Sequence, residues 1–309
     1  MSKIMCIIDG MADSNFRAEN YPALASFPEK SFVNTIPTRF EAETLPCVLF
    51  LLGIKRPPKN IRGWIEALGA GIDVAPNDLV FRGSWVKLNG DGICIGFCDA
   101  PENIPNLKRA KYKSLNGYKS LLIFPDCARY VKSAQTDLPF NLFGKSINDY
   151  VYPDIQLLKE TLARINGIDA CRAFIPWAAS TVSAMPSLPN AAAVCGTNAV
   201  KGIAKALNMY LVTTYEMTGD TDTNLQAKLR AALELAEKFS FVLLHIGGCD
   251  EAAHRMNKTE KETFLSNVDS VVLSGLLSAN HIIKVVSDHG CDPQTGRHTG
   301  GNQPMFYRG

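Results

Sequence analysis

Continuous apolar runs alternate with amphipathic stretches over most of the chain. Residues 3–8 and 241–246 are almost entirely hydrophobic, and 281–287 contains two apolar pairs, Ile282-Ile283 and Val285-Val286. We predict that all three segments are central, buried strands of a sheet. Between and beside them, apolar residues recur at helical spacing, which predicts helices at 196–208, 222–239 and 261–278. A further strand is predicted at 210–214. This alternation indicates an α/β fold with a doubly wound, mostly parallel sheet.

Two short helices are predicted in the N-terminal quarter. A loop leads through Thr44 into an apolar segment that ends at Gly53, typical of a buried helix closed by glycine. Residues 64–69 have the same pattern and also end in glycine.

The pattern changes at about residue 78. Strands are predicted at 79–88, 92–98 and 121–124, with a hairpin turn at Asn89-Gly90-Asp91-Gly92 and a helix at 154–167. The stretch 105–118 between them is polar. The sequence therefore predicts a core domain made of 1–77 and 189–309, with a smaller α+β cap domain, 78–188, inserted into it.

Composition and charge exclude several classes of partner. The chain has 32 Lys and Arg against 30 Asp and Glu, a formal net charge of +2, and no basic run, which argues against nucleic acid or a membrane surface as partner. Its longest apolar runs are the length of strands, which predicts no membrane-spanning helix. The N-terminus has no signal-peptide pattern. The nine cysteines are scattered without C-x-x-C pairs, which indicates reduced core thiols in a cytoplasmic protein. No particular oligomeric state is indicated.

Acidic residues follow three of the predicted central strands. The carboxyl ends of parallel strands lie at one edge of the sheet, where ligands bind. Asp250 and His254 are four residues apart, so on a helix both project from one face. Mixed carboxylate and imidazole ligands suit a pair of divalent ions such as Zn²⁺ or Mn²⁺, which can clamp the attacking and leaving oxygens of a phosphoryl group. The candidate ligands are Asp9, Asp250, His254, Asp288, His289 and His298.

The alternative interpretation of each candidate is structural, because an Asp-His pair at the end of a strand is often only a turn. The remaining histidines, His245 and His281, lie on apolar strands. We interpret both as core or edge residues without a role in the site.

Several of these motifs resemble those of archaeal-type cofactor-independent phosphoglycerate mutases, members of the alkaline phosphatase superfamily. The resemblance covers both ends of the chain well and the middle poorly. It implies an alkaline-phosphatase-like fold. The motifs that carry it are Asp9-Gly10-Met11, Glu66-Ala67-Leu68-Gly69-Ala70-Gly71-Ile72, Asp250-Glu251-Ala252-Ala253-His254, Ser287-Asp288-His289 and His298-Thr299.

The resemblance also implies roles for individual residues. One metal ion would be held by Asp250, His254 and His298. The other would be held by Asp9, Asp288, His289 and the nucleophile. The family's nucleophile is a serine before a helix that ends in Leu-Gly, and counting back from Gly53 places Thr44 there. The alternative role of Thr44 is to cap the following helix.

The chemistry implied by the resemblance is interconversion of 2- and 3-phosphoglycerate through a phosphothreonine, with two divalent ions (manganese or zinc, with magnesium or cobalt as alternatives). The partner would be a small phosphorylated metabolite, and Arg62, Arg82 and Lys201 are the candidate ligands of its carboxylate. Each of these could equally be a solvated surface cation. The predicted cap domain departs from the family pattern at Asp137-Leu138-Pro139-Phe140, which lacks the family's histidine. Two alternatives therefore stay open: a metal-dependent phosphatase and a degenerate metal- and ligand-binding homologue.

Overall fold

The structure is a computed structural model that describes residues 2–309, apart from the side chain of Asn116. The chain forms two compact units. The first contains the residues up to Pro57 together with Met185–Gly309, and the second contains Pro58–Ala184. None of the helices in the described part of the chain has both the length and the apolar character needed to cross a membrane.

The strands are numbered in chain order. They are β1 (Lys3–Ile8), β2 (Glu29–Asn34), β3 (Leu79–Leu88), β4 (Cys94–Phe97), β5 (Lys111–Asn116), β6 (Lys119–Phe124), β7 (Arg172–Ser180), β8 (Ala191–Val194), β9 (Tyr210–Val212), β10 (Phe241–Ile246), β11 (Ile282–Val286), β12 (Gly290–Asp292), β13 (Arg297–Thr299) and β14 (Asn302–Arg308).

The helices are numbered in the same way. They are α1 (Pro22–Ala25), α2 (Thr44–Leu51), α3 (Arg62–Gly69), α4 (Gln156–Asn166), α5 (Asn198–Ala206), α6 (Leu225–Ala236), α7 (Gly248–His254), α8 (Lys258–Val268) and α9 (Ser274–Ser278).

A seven-stranded sheet forms the centre of the first unit, in the order β2-β14-β11-β1-β10-β8-β9. The strands from β11 to β9 are parallel, whereas β14 and β2 run antiparallel at one edge. The side chains of β1 and β10 are buried almost throughout, because helices cover both faces of a parallel sheet. The predicted α/β fold with a mostly parallel sheet is confirmed.

One predicted helix of the first unit is interrupted. The segment 261–278 was predicted as one helix, but a π-helical stretch, Asp269–Leu273, separates α8 from α9. The Asp269 carboxylate accepts the backbone N–H groups of Ala23 and Leu24, at 3.0 and 2.9 Å. These N–H groups lie in the first turn of α1 and have no acceptor within that helix. The π-helical stretch places the Asp269 carboxylate where it can accept from them.

The second unit is built on an antiparallel sheet in which β3 pairs with β4, β6 and β7, and β5 pairs with β6. The predicted Asn89–Gly92 turn joins β3 to β4, and Gly92 N–H donates to the Asn89 carbonyl at 3.0 Å. Leu158, Leu162 and Ile165 of α4 are buried in the main core of this unit.

The second unit begins at Pro58 rather than at the predicted residue 78. The reason is that α3 packs on β3 and β7, and Gly63 N–H donates to Ser180 Oγ at 2.7 Å. A side chain at Gly63 would meet the Val80 carbonyl at 2.9 Å, so the close packing of α3 on this sheet depends on the glycine.

Candidate metal centre

Three adjacent parallel strands carry the acidic residues to one edge of the sheet. β1 lies between β10 and β11, with Ile8 level with Ile246 and Ile7 level with Val286. Asp9 directly follows β1, and Asp288 follows β11 after one residue. Asp250 lies in the first turn of α7, which follows β10. The matched ends of the strands therefore place the three carboxylates together, as the sequence pattern predicts.

The structure gathers the candidate ligands into two clusters. Within each cluster every residue offers one ligand atom, and these atoms all lie within 4.8 Å of one another. The first cluster contains Asp250, His254, His298 and Cys291, and the second contains Asp9, Asp288 and His289.

Gly10 allows the carboxylates to approach one another. Its φ of +62° favours glycine, and a Cβ there would lie 2.9 Å from Cα, Cβ and Oδ1 of Asp250. Its N–H donates to Asp288 Oδ1 at 3.3 Å. Gly10, which directly follows Asp9, therefore links β1 to Asp288 by a hydrogen bond. Its missing side chain leaves room for Asp250.

The first cluster is formed by a helix and a hairpin. Asp250 and His254 lie four residues apart on α7, with Oδ2 and Nε2 3.2 Å apart. His298 lies on β13, and its Nε2 is 3.3 Å from Asp250 Oδ1 and 3.1 Å from His254 Nε2.

Backbone carbonyls orient all three histidine rings. Nδ1 lies 2.8 Å from the Gly296 carbonyl in His254, 3.2 Å from the Gly290 carbonyl in His289 and 2.6 Å from the Ala42 carbonyl in His298. A carbonyl accepts only a donor, so geometry assigns a proton to Nδ1 and directs Nε2, the atom that would bind a metal ion, into the cluster. Metal-binding histidines are held in the same way.

The donor set of the second cluster fits a divalent ion. His289 Nε2 faces Asp9 Oδ1 at 3.3 Å and Asp288 Oδ2 at 3.5 Å. Both carboxylate oxygens are buried, and neither receives a hydrogen bond from any residue that the structure describes. Lone pairs converging in a buried space repel one another unless a cation lies between them. The residues present therefore suit a metal ion at each cluster.

Thr44, the candidate nucleophile, is the first residue of α2 and is buried. Its hydroxyl donates to Asp9 Oδ2 at 3.3 Å and lies 3.3 Å from His289 Nε2. The cap position of α2 is Glu43, whose side chain makes no capping hydrogen bond. The hydroxyl of Thr44 is thus directed at the second cluster.

Two residues of the site were missed from the sequence. Cys291 joins the first cluster, although isolated cysteines were interpreted as core residues. His245 is a core histidine, as interpreted, but its Nε2 lies 3.4 Å from Asp9 Oδ2. His245 is the residue before the last of β10, and closeness to the ligand-bearing strand end is the signal that could have identified it.

The two candidate arginines lie together in the second unit, on either side of Glu66. Arg62 Nε is 3.0 Å from Glu66 Oε1, and Arg82 Nε is 2.7 Å from Glu66 Oε2. Arg82 also donates to the Ser120 carbonyl and is 2% exposed, whereas the Arg62 side chain is 20% exposed and its guanidinium lies 4.9 Å from the Trp177 ring centroid. These contacts give Arg82 a structural role within the unit. Substrate binding by either residue stays a prediction.

Lys201 lies in the first unit, on α5, a helix that packs against α2. It is half-buried, and burial lowers the pKa of its ammonium group. Its proposed contact with substrate also stays a prediction.

Comparison with known proteins identifies the family. The sequence profile of the Metalloenzyme superfamily matches residues 1–309. The chain belongs to the Metalloenzyme superfamily. This metalloenzyme is similar to the 2,3-bisphosphoglycerate-independent phosphoglycerate mutase of Saccharolobus islandicus (strain M.14.25 / Kamchatka #1), with 27% identity over 79% of this chain and 70% of the relative. It is 24% identical to phosphoglycerate mutase 1 of the same type from Archaeoglobus fulgidus, over 95% of this chain and 87% of the relative.

Solved structures share the fold of the metalloenzyme. The PH0037 protein from Pyrococcus horikoshii superposes with a TM-score of 0.73 at 20% identity, covering 100% of this chain and 87% of its own. The cofactor-independent phosphoglycerate mutase of Thermoplasma acidophilum gives 0.55 at 20% identity, covering 99% and 89%.

Without metal ions, two carboxylates of the metalloenzyme site are unfavourable in their ionised form. Burial, then the neighbouring carboxylates Asp288 and Asp250, raises the pKa of Asp9 well above its usual range. Burial, then Asp250, raises the pKa of Asp288 to about 7. Burial also opposes ionisation of Asp250, but the facing imidazoles of His254 and His298 outweigh it and hold its pKa well below the usual value. The second cluster therefore depends more on a bound cation for full ionisation.

We expect stabilisation by Mn²⁺ to grow as the pH rises from about 5 to about 8. Without metal, folded Asp288 keeps its proton up to a pKa of about 7, whereas the unfolded chain releases it near 3.8. Stability of the metal-free protein therefore falls as the pH rises through this window, because ionisation favours the unfolded chain. A bound cation removes that cost.

Thermal melts with and without Mn²⁺ at both pH values measure the effect. The Asp288→Asn variant, which has no titrating carboxyl at this position, is the control, and its metal-free melting temperature is expected to fall less between the two pH values. An equal shift of the melting temperature at both pH values in the unaltered protein would contradict the prediction.

Proposed function

We propose that this metalloenzyme transfers a phosphoryl group between two hydroxyls of a small phosphorylated metabolite, and that the reaction is the interconversion of 2- and 3-phosphoglycerate. The observation that carries the proposal is the position of the Thr44 hydroxyl, 3.3 Å from both Asp9 Oδ2 and His289 Nε2. A hydroxyl beside two clusters of metal-ligand atoms is the arrangement needed for an activated nucleophile. The names of the relatives support the choice of substrate.

In this proposal, Asp250, His254 and His298 hold one ion, and Asp9, Asp288, His289 and Thr44 hold the other. When bound, the two ions supply positive charge that lowers the pKa of the nucleophile and neutralises the transferring phosphoryl group. The Asp9 carboxylate orients Thr44 by accepting its hydrogen bond. Gly10 N–H does the same for Asp288 by donating to Oδ1.

Thr44 Oγ1 would attack phosphorus in line, and the bond to the substrate oxygen would break, which leaves a phosphothreonine. The free hydroxyl of the bound acceptor would then take the phosphoryl group back at its other position. Two inversions at phosphorus give net retention. The N–H groups at the start of α2, on Thr44 and Leu45, have no intrahelical acceptor, so the helix terminus favours the negative phosphate.

The metabolite also carries a carboxylate, for which Arg62, Arg82 and Lys201 are the proposed cationic ligands. Lys201 lies in the same unit as Thr44, on the helix that packs against α2. Of the two arginines, Arg62 is the more exposed. We also propose that the second unit acts as the cap domain that orients the acceptor.

The test is to incubate the metal-loaded protein with 3-phosphoglycerate, quench with a chelator and record the phosphorus NMR spectrum. We expect the resonance of 2-phosphoglycerate to appear, and we expect it to be missing from a matched sample of chelator-treated protein. Release of inorganic phosphate alone would replace the mutase proposal with the phosphatase alternative. Metal and ligand binding with no turnover would support the degenerate homologue.

A further inference from the structure

Cys291 occupies a ligand position in the first cluster. The thiol is fully buried, and Sγ is one of four ligand atoms, with those of Asp250, His254 and His298, that lie within 4.8 Å of one another. In the β12–β13 hairpin Cys291 pairs directly with His298. Residues directly opposite each other in an antiparallel pair project to the same face. The thiol and the His298 imidazole therefore approach the cluster from the same side.

The backbone at Cys291 is held on both sides. Its N–H donates to the Ala12 carbonyl at 3.0 Å. Its carbonyl accepts from Lys261 Nζ at 2.7 Å, and that buried ammonium group also pairs with Asp13 Oδ2 at 2.8 Å. These contacts fix the strand independently of the thiol. The side chain is thus presented to the cluster by a rigid support, as in preorganised metal sites.

We propose that Cys291, as a thiolate, ligates the metal ion held by Asp250, His254 and His298, and that this position selects zinc over manganese and magnesium. On binding, the thiol proton passes to solvent and a metal–sulfur bond forms, with no change of oxidation state. This inference rests on the metal centre of the proposed function and adds a ligand to it.

The two clusters then differ in chemical character. Thiolate is a soft ligand that suits zinc and cobalt, and carboxylate and hydroxyl oxygens suit manganese and magnesium. The first cluster offers one sulfur, two nitrogens and one carboxylate, and the second offers one nitrogen with carboxylate oxygens and the Thr44 hydroxyl. The protein would therefore bind a soft ion at the first cluster and a hard ion at the second.

Cobalt(II) is the probe, because a thiolate bound to it gives a near-ultraviolet charge-transfer band in addition to the visible d–d bands. The metal-free protein is titrated with one equivalent of Co²⁺. We expect the charge-transfer band in the unaltered protein and its loss in Cys291→Ser, with the d–d bands retained. The matched control is Cys249→Ala: this thiol is also fully buried and adjoins Asp250 in sequence but lies outside the cluster, so the band should persist.

Zinc competition and X-ray absorption give independent readings. Cys291→Ser should weaken zinc binding by about tenfold or more, with manganese affinity nearly unchanged. In the unaltered protein with one equivalent of zinc, we expect a sulfur scatterer at about 2.3 Å beside nitrogen and oxygen at about 2.0–2.2 Å. This measurement needs no variant, so it decides the question even if Cys291→Ser does not fold.

Different results would overturn the role of Cys291 and the metal centre itself. Cobalt d–d bands without a charge-transfer band, together with a zinc shell of nitrogen and oxygen alone, would overturn the role of Cys291 and leave the metal centre standing. No binding of cobalt, zinc or manganese to the folded protein would overturn the metal centre, and the proposed function with it.

Discussion

Replacing Thr44 with valine is expected to lower the turnover of the proposed phosphoglycerate mutase reaction by about 10⁴-fold or more. Valine keeps the β-branched shape of threonine and removes only the hydroxyl that lies 3.3 Å from Asp9 Oδ2. The proposed phosphothreonine cannot form without that oxygen. The remaining ligands stay in place, so both ions should still bind. Steady-state assays, together with mass spectrometry of acid-quenched protein for the phosphorylated form, measure the effect.

Thr44→Ser is the matched control. It keeps the hydroxyl and loses the methyl group, and we expect it to retain turnover within about tenfold and to form phosphoserine. If Thr44→Val retained full activity, Thr44 would have no part in the mechanism. If both variants were inactive but folded and metal-loaded, the hydroxyl would not be sufficient and the methyl group would be needed as well.

The second large effect is expected for Asp9→Asn, which should abolish metal binding at the second cluster and yet stabilise the metal-free protein. Burial and the nearby Asp288 and Asp250 raise the pKa of Asp9, so its ionised form is unfavourable in the folded state. The amide keeps the shape and an acceptor for Thr44 but carries no charge. The gain should be on the order of 1–3 kcal/mol at about pH 8.

Urea unfolding in the presence of a chelator measures the stability, and titration with Mn²⁺ measures binding. Asp13→Asn is a control of opposite sign. The Asp13 carboxylate pairs with the buried ammonium group of Lys261 at 2.8 Å, and loss of a partner from a buried ion pair is destabilising. A destabilised metal-free Asp9→Asn protein would contradict the view that the clustered carboxylates repel one another.

The centre of the fold could be predicted because its strands are buried on both faces. β1 and β10 are apolar apart from Lys3 and His245, and β11 is apolar apart from Lys284. Predominantly apolar segments of that length are typical of parallel strands. The antiparallel edge strands β2 and β14 have weaker patterns: most residues of β2 are exposed, and a proline interrupts β14. Pairing partners far away in the sequence, which local periodicity does not report, determine such strands.

The boundary of the second unit was misplaced for a related reason. The apolar spacing of α3 predicted a helix correctly but did not say which sheet it would cover. That choice depends on Gly63, whose missing side chain allows α3 to approach β3 closely. The carboxylates and histidines of the site could be predicted because motifs and matched strand ends both point to one edge.

Cys291 could not be predicted in the same way. Its approach to the first cluster depends on the register of the β12–β13 hairpin, which pairs it with His298. Register is a property of the folded chain, and one residue of slippage would turn the thiol to the opposite face. The sequence alone therefore left it among nine scattered cysteines.

The hydrogen bond between His298 Nδ1 and the Ala42 carbonyl connects the first cluster to the segment that carries the proposed nucleophile. Only one residue separates Ala42 from Thr44, so a ring fixed by an ion also limits where the threonine can sit. In a newly synthesised chain that has not yet captured its ion, this hydrogen bond alone would hold the ring. We expect the supply of metal in the cell, as well as the abundance of the protein, to govern how many copies are competent to begin a catalytic cycle.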